Sequence, residues 1–261
     1  MKKKILIVGC SFSHKVWDGN DNLHECWGDW ITKEIGDGIY VMNLSMPGAS
    51  NELIKRIVTK KVLEENWDHV IVQWSTIDRW DYPIQHEEHN QFVRYWPMGS
   101  NLEGKNEYFY KHYYSVYGAV IDTLENILFI QQLLESENVS YSMITIGNLF
   151  TLSTTIQQIQ NLMESGGDYY NLKTNVLENI ERIQATFEDT DGLPFLLKKI
   201  NYDKFVFSDE ERNPMGGGML EWLYKEKNEY PKVNFHFDKH QSYNFYNEFI
   251  LPKILIPNGL I

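Results

Sequence analysis

The feature that most constrains this chain is the alternation of short, β-branched apolar runs with longer stretches of helical apolar spacing. Lys4 to Gly9, Ile39 to Leu44, His69 to Trp74 and Ser140 to Ile146 are brief and mostly apolar, as suits strands buried on both faces. Between them, Trp27 to Ile35, the stretch from Ser50 or Asn51 to about Glu65, and Tyr113 to Glu137 repeat their apolar residues at helical intervals. Gly36 and Gly38 punctuate the end of the first, and Ser50 or Asn51 can cap the second. Strands and helices in this order predict right-handed βαβ units and a parallel sheet.

The remainder is less regular. The segment from about Ile77 to Glu107 has no clear period and reads as a long surface loop rich in His, Asn, Trp and Tyr. Leu152 to Lys199 is mostly helical in pattern, broken at Gly166-Gly167 and Gly192-Leu193-Pro194. Phe205 to Phe207 supplies a fifth strand, Pro214 to Gly218 a mobile glycine-rich loop, and about Ser242 to Lys253 a terminal helix. With no internal repeat and no linker, residues 1–261 read as one domain with insertions at about 77–110 and 150–200.

A formal net charge of −12 argues against broad binding to nucleic acid or an anionic membrane. Lys2-Lys3-Lys4 is followed by an apolar stretch, Ile5 to Val8, far too short for a signal sequence, and nothing approaches a bilayer span. A cytoplasmic protein is expected. The two cysteines, Cys10 and Cys26, have no metal-type spacing and make no disulfide framework.

In a parallel α/β sheet, ligands gather beyond the carboxyl ends of the strands. Gly9-Cys10-Ser11-Phe12-Ser13 follows the first strand, Gly48 the second, and Ser75-Thr76-Ile77-Asp78-Arg79 the third. Asp238-Lys239-His240-Gln241-Ser242 precedes the last helix. A serine hydroxyl needs a base to become a nucleophile, and a histidine oriented by a carboxylate supplies one. Ser11, His240 and Asp238 meet that requirement, with His236 and Asp209 as nearby competitors. Ser11 and His240 are equally able to act as helix-capping residues, and Gly48 can be an ordinary turn glycine.

These blocks resemble the SGNH (GDSL-like) hydrolases. Gly9-Cys10-Ser11 is similar to that family's Gly-Asp-Ser, Asn43 to Gly48 to its second block, and Asp238 to Ser242 to its last. The resemblance implies a flavodoxin-like three-layer α/β/α sandwich around a mostly parallel sheet of about five strands, enlarged by helical and loop insertions. It implies ester hydrolysis or acyl transfer through an acyl-Ser11 intermediate, on an O-acyl group carried by a carbohydrate or other small molecule. His240 would be general base and then acid, with Asp238 orienting it. The N–H groups of Ser11 and Gly48 would hold the oxyanion, helped by Ser75, Thr76 or Arg79. No metal or organic cofactor is implied. A non-catalytic protein that keeps the fold is the reading from another class.

The chain departs from the family pattern at three places. Cys10 replaces the Asp beside the nucleophile, Ile77 stands where the third block has an oxyanion-hole Asn, and Asp238 lies two residues before His240 instead of three. Loss of one oxyanion donor is worth about 3 to 4 kcal/mol of transition-state stabilisation.

Other motifs read as structural. His86-Glu87-Glu88-His89 lacks the spacing that places two ligands one helical turn apart, and Asp209-Glu210-Glu211 is a solvated acidic run. Gly216 to Gly218 has no Lys-Ser/Thr to cradle phosphate. Trp74, Trp80, Tyr82, Tyr95 and Trp96 read first as packing residues and, taken together, as a wall for substrate.

Overall fold

The computed structural model describes residues 2–17, 23–77, 79–85, 90–95, 112–113, 116–147, 193–208, 217–227 and 236–261. In chain order the elements are strand β1 (Lys3–Val8), the short strands β2 (Val16–Trp17) and β3 (Leu23–His24), helix α1 (Trp27–Ile35) and strand β4 (Ile39–Asn43). Helix α2 (Asn51–Glu64), strand β5 (His69–Trp74) and strands β6 (Trp80–Gln85) and β7 (Asn90–Tyr95) follow. Helix α3 (Val116–Ser136), strand β8 (Ser140–Thr145) and helices α4 (Leu193–Lys199), α5 (Met219–Lys227) and α6 (Lys239–Phe245) complete the order. The chain then continues as a wider-wound helix, Tyr246–Leu255, which contains Pro252.

The centre is a four-stranded parallel sheet in the order β4-β1-β5-β8. That is the flavodoxin-like order, in which the chain steps to one side of β1 and then reverses. Right-handed crossovers require α1 to lie on one face and α2 and α3 on the other. The packing agrees: α1 meets α6 and the terminal helix, while α2 meets α3. Ile5, Leu6, Ile7 and Val8 of β1 and Val70, Ile71 and Val72 of β5 are wholly buried, because both faces of these strands are covered.

Local chemistry sets the helix ends. The Ser50 hydroxyl accepts from the Leu53 N–H at 3.2 Å, so Ser50 is the cap and Asn51 the first helical residue of α2. At the end of α3, Asn138 adopts a left-handed φ of 55° and Val139 N–H returns to the Leu134 carbonyl at 2.9 Å.

Two expectations need correction. Part of the segment read as a loop is a β-hairpin: β6 and β7 pair antiparallel, from Trp80 opposite Tyr95 to Gln85 opposite Asn90. Trp80, Tyr82 and Ile84 do alternate, but Pro83 argues against a strand, and an edge pairing tolerates it. The fifth strand contracts to one parallel bridge between Phe205 and Met143, with Val206 N–H donating to the Met143 carbonyl at 2.8 Å. Of the glycine-rich loop, Pro214 to Gly216 lie outside the described residues; beyond them Gly218 N–H donates to Glu221 Oε2 at 2.8 Å, and Leu220 N–H to the Ile146 carbonyl at 2.8 Å. Of the helical insertion, Leu193–Lys199 is helical. Residues 148–192, 209–216 and the His86 to His89 motif lie outside the described residues.

Candidate active site

The loop after β1 is held by a polar hub beneath it. Gln73 is the one polar side chain in the apolar run Val70 to Trp74, and it is completely buried. Its Oε1 accepts from Cys10 N–H at 3.0 Å and from the Ser13 hydroxyl at 3.0 Å, and its Nε2 donates to the Trp74 carbonyl at 2.7 Å. Trp27 Nε1 donates to Ser13 Oγ at 3.1 Å, and Asn43 Nδ2 to the Ser13 carbonyl at 2.7 Å. Burying these groups is favourable only because each finds a partner. Gly9 is required by the same packing, since a Cβ there would stand 2.7 Å from Gln73 Oε1.

This network separates the two serines of the loop. Ser13 spends its hydroxyl on the hub. Ser11 is 8% exposed, and among the described residues its hydroxyl has only Cys10 Sγ at 3.9 Å as a partner. Its backbone N–H has no acceptor among the described residues. A sulfur at that distance is a weak acceptor, so the hydroxyl is chemically uncommitted. Two more hydroxyls at neighbouring strand ends, Ser45 after β4 and Ser75 after β5, are buried without a partner among the described residues.

The turn after β4 runs Met46-Pro47-Gly48-Ala49, closed by Ala49 N–H on the Met46 carbonyl at 3.1 Å. Pro47 at its second position and a φ of +73° at Gly48 make it a type II turn, which requires glycine at that place. Met46 N–H donates to the Gly9 carbonyl at 3.0 Å, so this turn lies against the Ser11 loop.

The end of β5 is clasped by Asn51. Its Oδ1 accepts Ser75 N–H at 2.7 Å, and its Nδ2 donates to the Ser75 carbonyl at 3.2 Å and to Thr123 Oγ1 at 3.1 Å. Ile77 is buried at 5% exposure, Thr76 is half-buried, and Arg79 lines a cavity formed with α2 and α3. Sequence reasoning weighed Asn51 only as a cap and missed Gln73 altogether. The available signal for Gln73 was a lone amide inside a doubly buried strand.

The C-terminal block meets the Ser11 loop through aromatic contacts. Phe12 packs on His236 with ring centroids 5.0 Å apart and on Phe237 at 5.7 Å. The expected start of the last helix moves forward, because Asp238 caps it: its Oδ1 accepts Gln241 N–H at 2.7 Å, and Gln241 Oε1 accepts Asp238 N–H at 3.2 Å. His240 therefore sits in the first turn of α6, exposed, with Nε2 3.1 Å from Asn244 Nδ2. No hydrogen bond joins His240 to Ser11 or to Asp238 in this arrangement. Asp209 lies outside the described residues.

Cys26 is no rival nucleophile. Burial, reinforced by Asp29, pushes its thiol up to about 12. Among the described residues no group of three or more His, Cys, Asp or Glu could hold a metal ion, and no helix is long and apolar enough to cross a membrane.

No protein-family model matches the sequence, and no curated protein matches it. Among solved structures, the chain is similar to an acetyl-xylooligosaccharide esterase from Geobacillus, with 12% identity, a TM-score of 0.45, and coverage of 95% of this chain and 93% of that one. It is similar to a lipolytic protein of the G-D-S-L family from Veillonella parvula, at 10% identity and TM-score 0.44, over 97% and 98% of the two chains. A GDSL-like lipase from Bacteroides thetaiotaomicron gives 14% identity and TM-score 0.42, over 99% and 87%.

Proposed function

We propose that the protein is a serine hydrolase that cleaves an O-acyl ester through an acyl-Ser11 intermediate. The observation that carries this reading is the division of labour in the β1 loop, where Ser13 is bonded into the core and Ser11 keeps an uncommitted hydroxyl and N–H. A buried loop with a spare hydroxyl and a spare backbone donor at the carboxyl end of a central strand suits nucleophilic attack with oxyanion support.

In this mechanism Ser11 Oγ attacks the ester carbonyl as the base takes its proton, and the oxyanion is held by Ser11 N–H and Gly48 N–H. The alcohol leaves with the proton returned by the same imidazole. Water, or an acceptor alcohol in the transfer version, then releases the acyl group. Ser75, with its unpartnered hydroxyl, is the best replacement for the missing Asn donor; Thr76 and Arg79 are its alternatives.

His240 is the proposed base, with Asp238 behind it, and this requires the ring to leave Asn244. A second reading is favoured by one contact: His236 already packs on Phe12, the residue next to Ser11, and can serve as the base itself.

A fluorophosphonate probe tests the hydrolase. Wild-type protein should be labelled, and Ser11→Ala should not. Folded wild type that takes no label would sink the reading and leave the non-catalytic alternative.

A further inference from the structure

We propose that the cavity between α2, α3 and the start of β6 binds a single neutral sugar ring. Its volume is about 420 Å3, within the range of small-ligand pockets. Ser11 does not line it; Ile77, at the carboxyl end of β5, does.

The lining decides the ligand class. Glu52, Asp81, Asp122 and Glu125 face the cavity together with Lys55, Arg56 and Arg79. Four carboxylates and three cations nearly cancel, so neither an anion nor a cation is selected strongly. Acceptors and donors lining one cavity fit the hydroxyls of a polyol, and Trp80 belongs to the same wall.

Three side chains on α3 have bonding capacity to spare. Asn126 is 5% exposed and lines the cavity, yet its amide makes no hydrogen bond among the described residues. A buried amide that is both donor and acceptor calls for a partner of the same kind, such as a hydroxyl pair. Asp122 and Glu125 form no ion pair among the described residues, whereas Glu52 is already bonded to Lys55 at 2.6 Å and Arg56 at 3.0 Å. Burial, with Glu125 and Glu52 nearby, raises the Asp122 carboxyl above its ordinary range, and a hydroxyl donor relieves that penalty. Opposite them the wall is fixed, since Asp81 Oδ2 accepts Ser50 N–H at 2.6 Å and docks the hairpin on α2.

As the place for the alcohol half of an ester, this cavity rests on the Ser11 reading; as a sugar site it stands alone. The test uses Ser11→Ala protein, so that turnover cannot interfere, with D-xylose, D-glucose and N-acetyl-D-glucosamine as probes by saturation-transfer NMR and titration calorimetry. At least one sugar should bind saturably. Binding should weaken tenfold or more in Asp122→Ala and in Asn126→Ala, with melting temperature monitored for each. Asp122 is half-buried and unbonded, so its variant remains informative if the Asn126 variant does not fold. Failure of all three sugars, binding unchanged in Asp122→Ala, or preference for ethylammonium or acetate would overturn the proposal. Absence of sugar binding while wild-type protein is labelled at Ser11 by fluorophosphonate removes this inference alone; sugar binding by Ser11→Ala protein when folded wild type takes no label removes the hydrolase reading alone.

Discussion

Ser13 and Gln73 are joined by a 3.0 Å hydrogen bond from the serine hydroxyl to the buried amide oxygen, which also accepts the Cys10 N–H. This bond fixes the loop from inside the sheet and leaves the Ser11 hydroxyl outside the network. Replacing Gln73 with Leu strands both donors in a dry interior. We predict a loss of roughly 3 kcal/mol in urea unfolding. Ester hydrolysis should fall further than the folded fraction does, because the loop loses its anchor; activity that merely tracks the folded fraction would refute the positioning role.

The two histidines of the C-terminal block give opposite expectations. If His240 is the base, His240→Gln should abolish fluorophosphonate labelling and hydrolysis of p-nitrophenyl acetate while His236→Gln keeps them. If the contact of His236 with Phe12 marks the working residue, the pattern reverses. Rates of both single variants decide, and full activity in both would exclude a histidine base from this segment.

Gly48→Ala places a Cβ on a residue with φ of +73°. The left-handed conformation costs an L-residue about 1 to 2 kcal/mol, so thermal unfolding should move down by that equivalent. Since the turn is tied to the Gly9 carbonyl, we also predict slower acylation of Ser11. Unaltered stability would show that the turn adapts.

His69 makes stability depend on pH. It is buried in β5 between the Ser140 hydroxyl at 2.9 Å and the Ser142 hydroxyl at 3.1 Å. Burial, with Lys204 nearby, pushes its pKa down to about 4 from 6.5. Between those values the unfolded chain binds the proton and the folded one does not, so the contribution is complete above the unfolded pKa and is lost as pH falls. Urea unfolding at pH 7 and pH 5 should differ by about 2 kcal/mol from this group. His69→Asn should flatten that difference; an unchanged slope would assign it to other groups.

The legible part of the fold was the part written in local periodicity. Helix α1 and strand β5 occupy the residues their apolar spacing indicates, and β1, β4, α2, α3 and β8 differ by a few residues at their ends. The hairpin was not legible, because Pro83 contradicts the alternation around it and only pairing with β7 overrides it. The fifth strand failed for the converse reason: Phe205 to Phe207 has strand composition, but a single bridge to Met143 is all the pairing it finds. At the candidate site, the positions of the Ser11 loop after β1 and of the Gly48 turn after β4 were readable from their glycines.

By itself, the sequence determined the parallel sheet, its crossovers and the position of the Ser11 loop, since these follow from apolar period and turn chemistry within each segment. Only the tertiary structure decided which serine is spent and which is spare. That choice depends on Gln73, sixty residues from Ser13 in the chain, whose amide engages Ser13 and passes over Ser11. It likewise decided that Asp238 caps α6 and that His240 lies in its first turn, because capping by a side chain is settled by local bonds formed in the packed chain. Hydrogen-bond partners across the sheet leave no periodic trace, and they are what turns a serine on a loop into a candidate site.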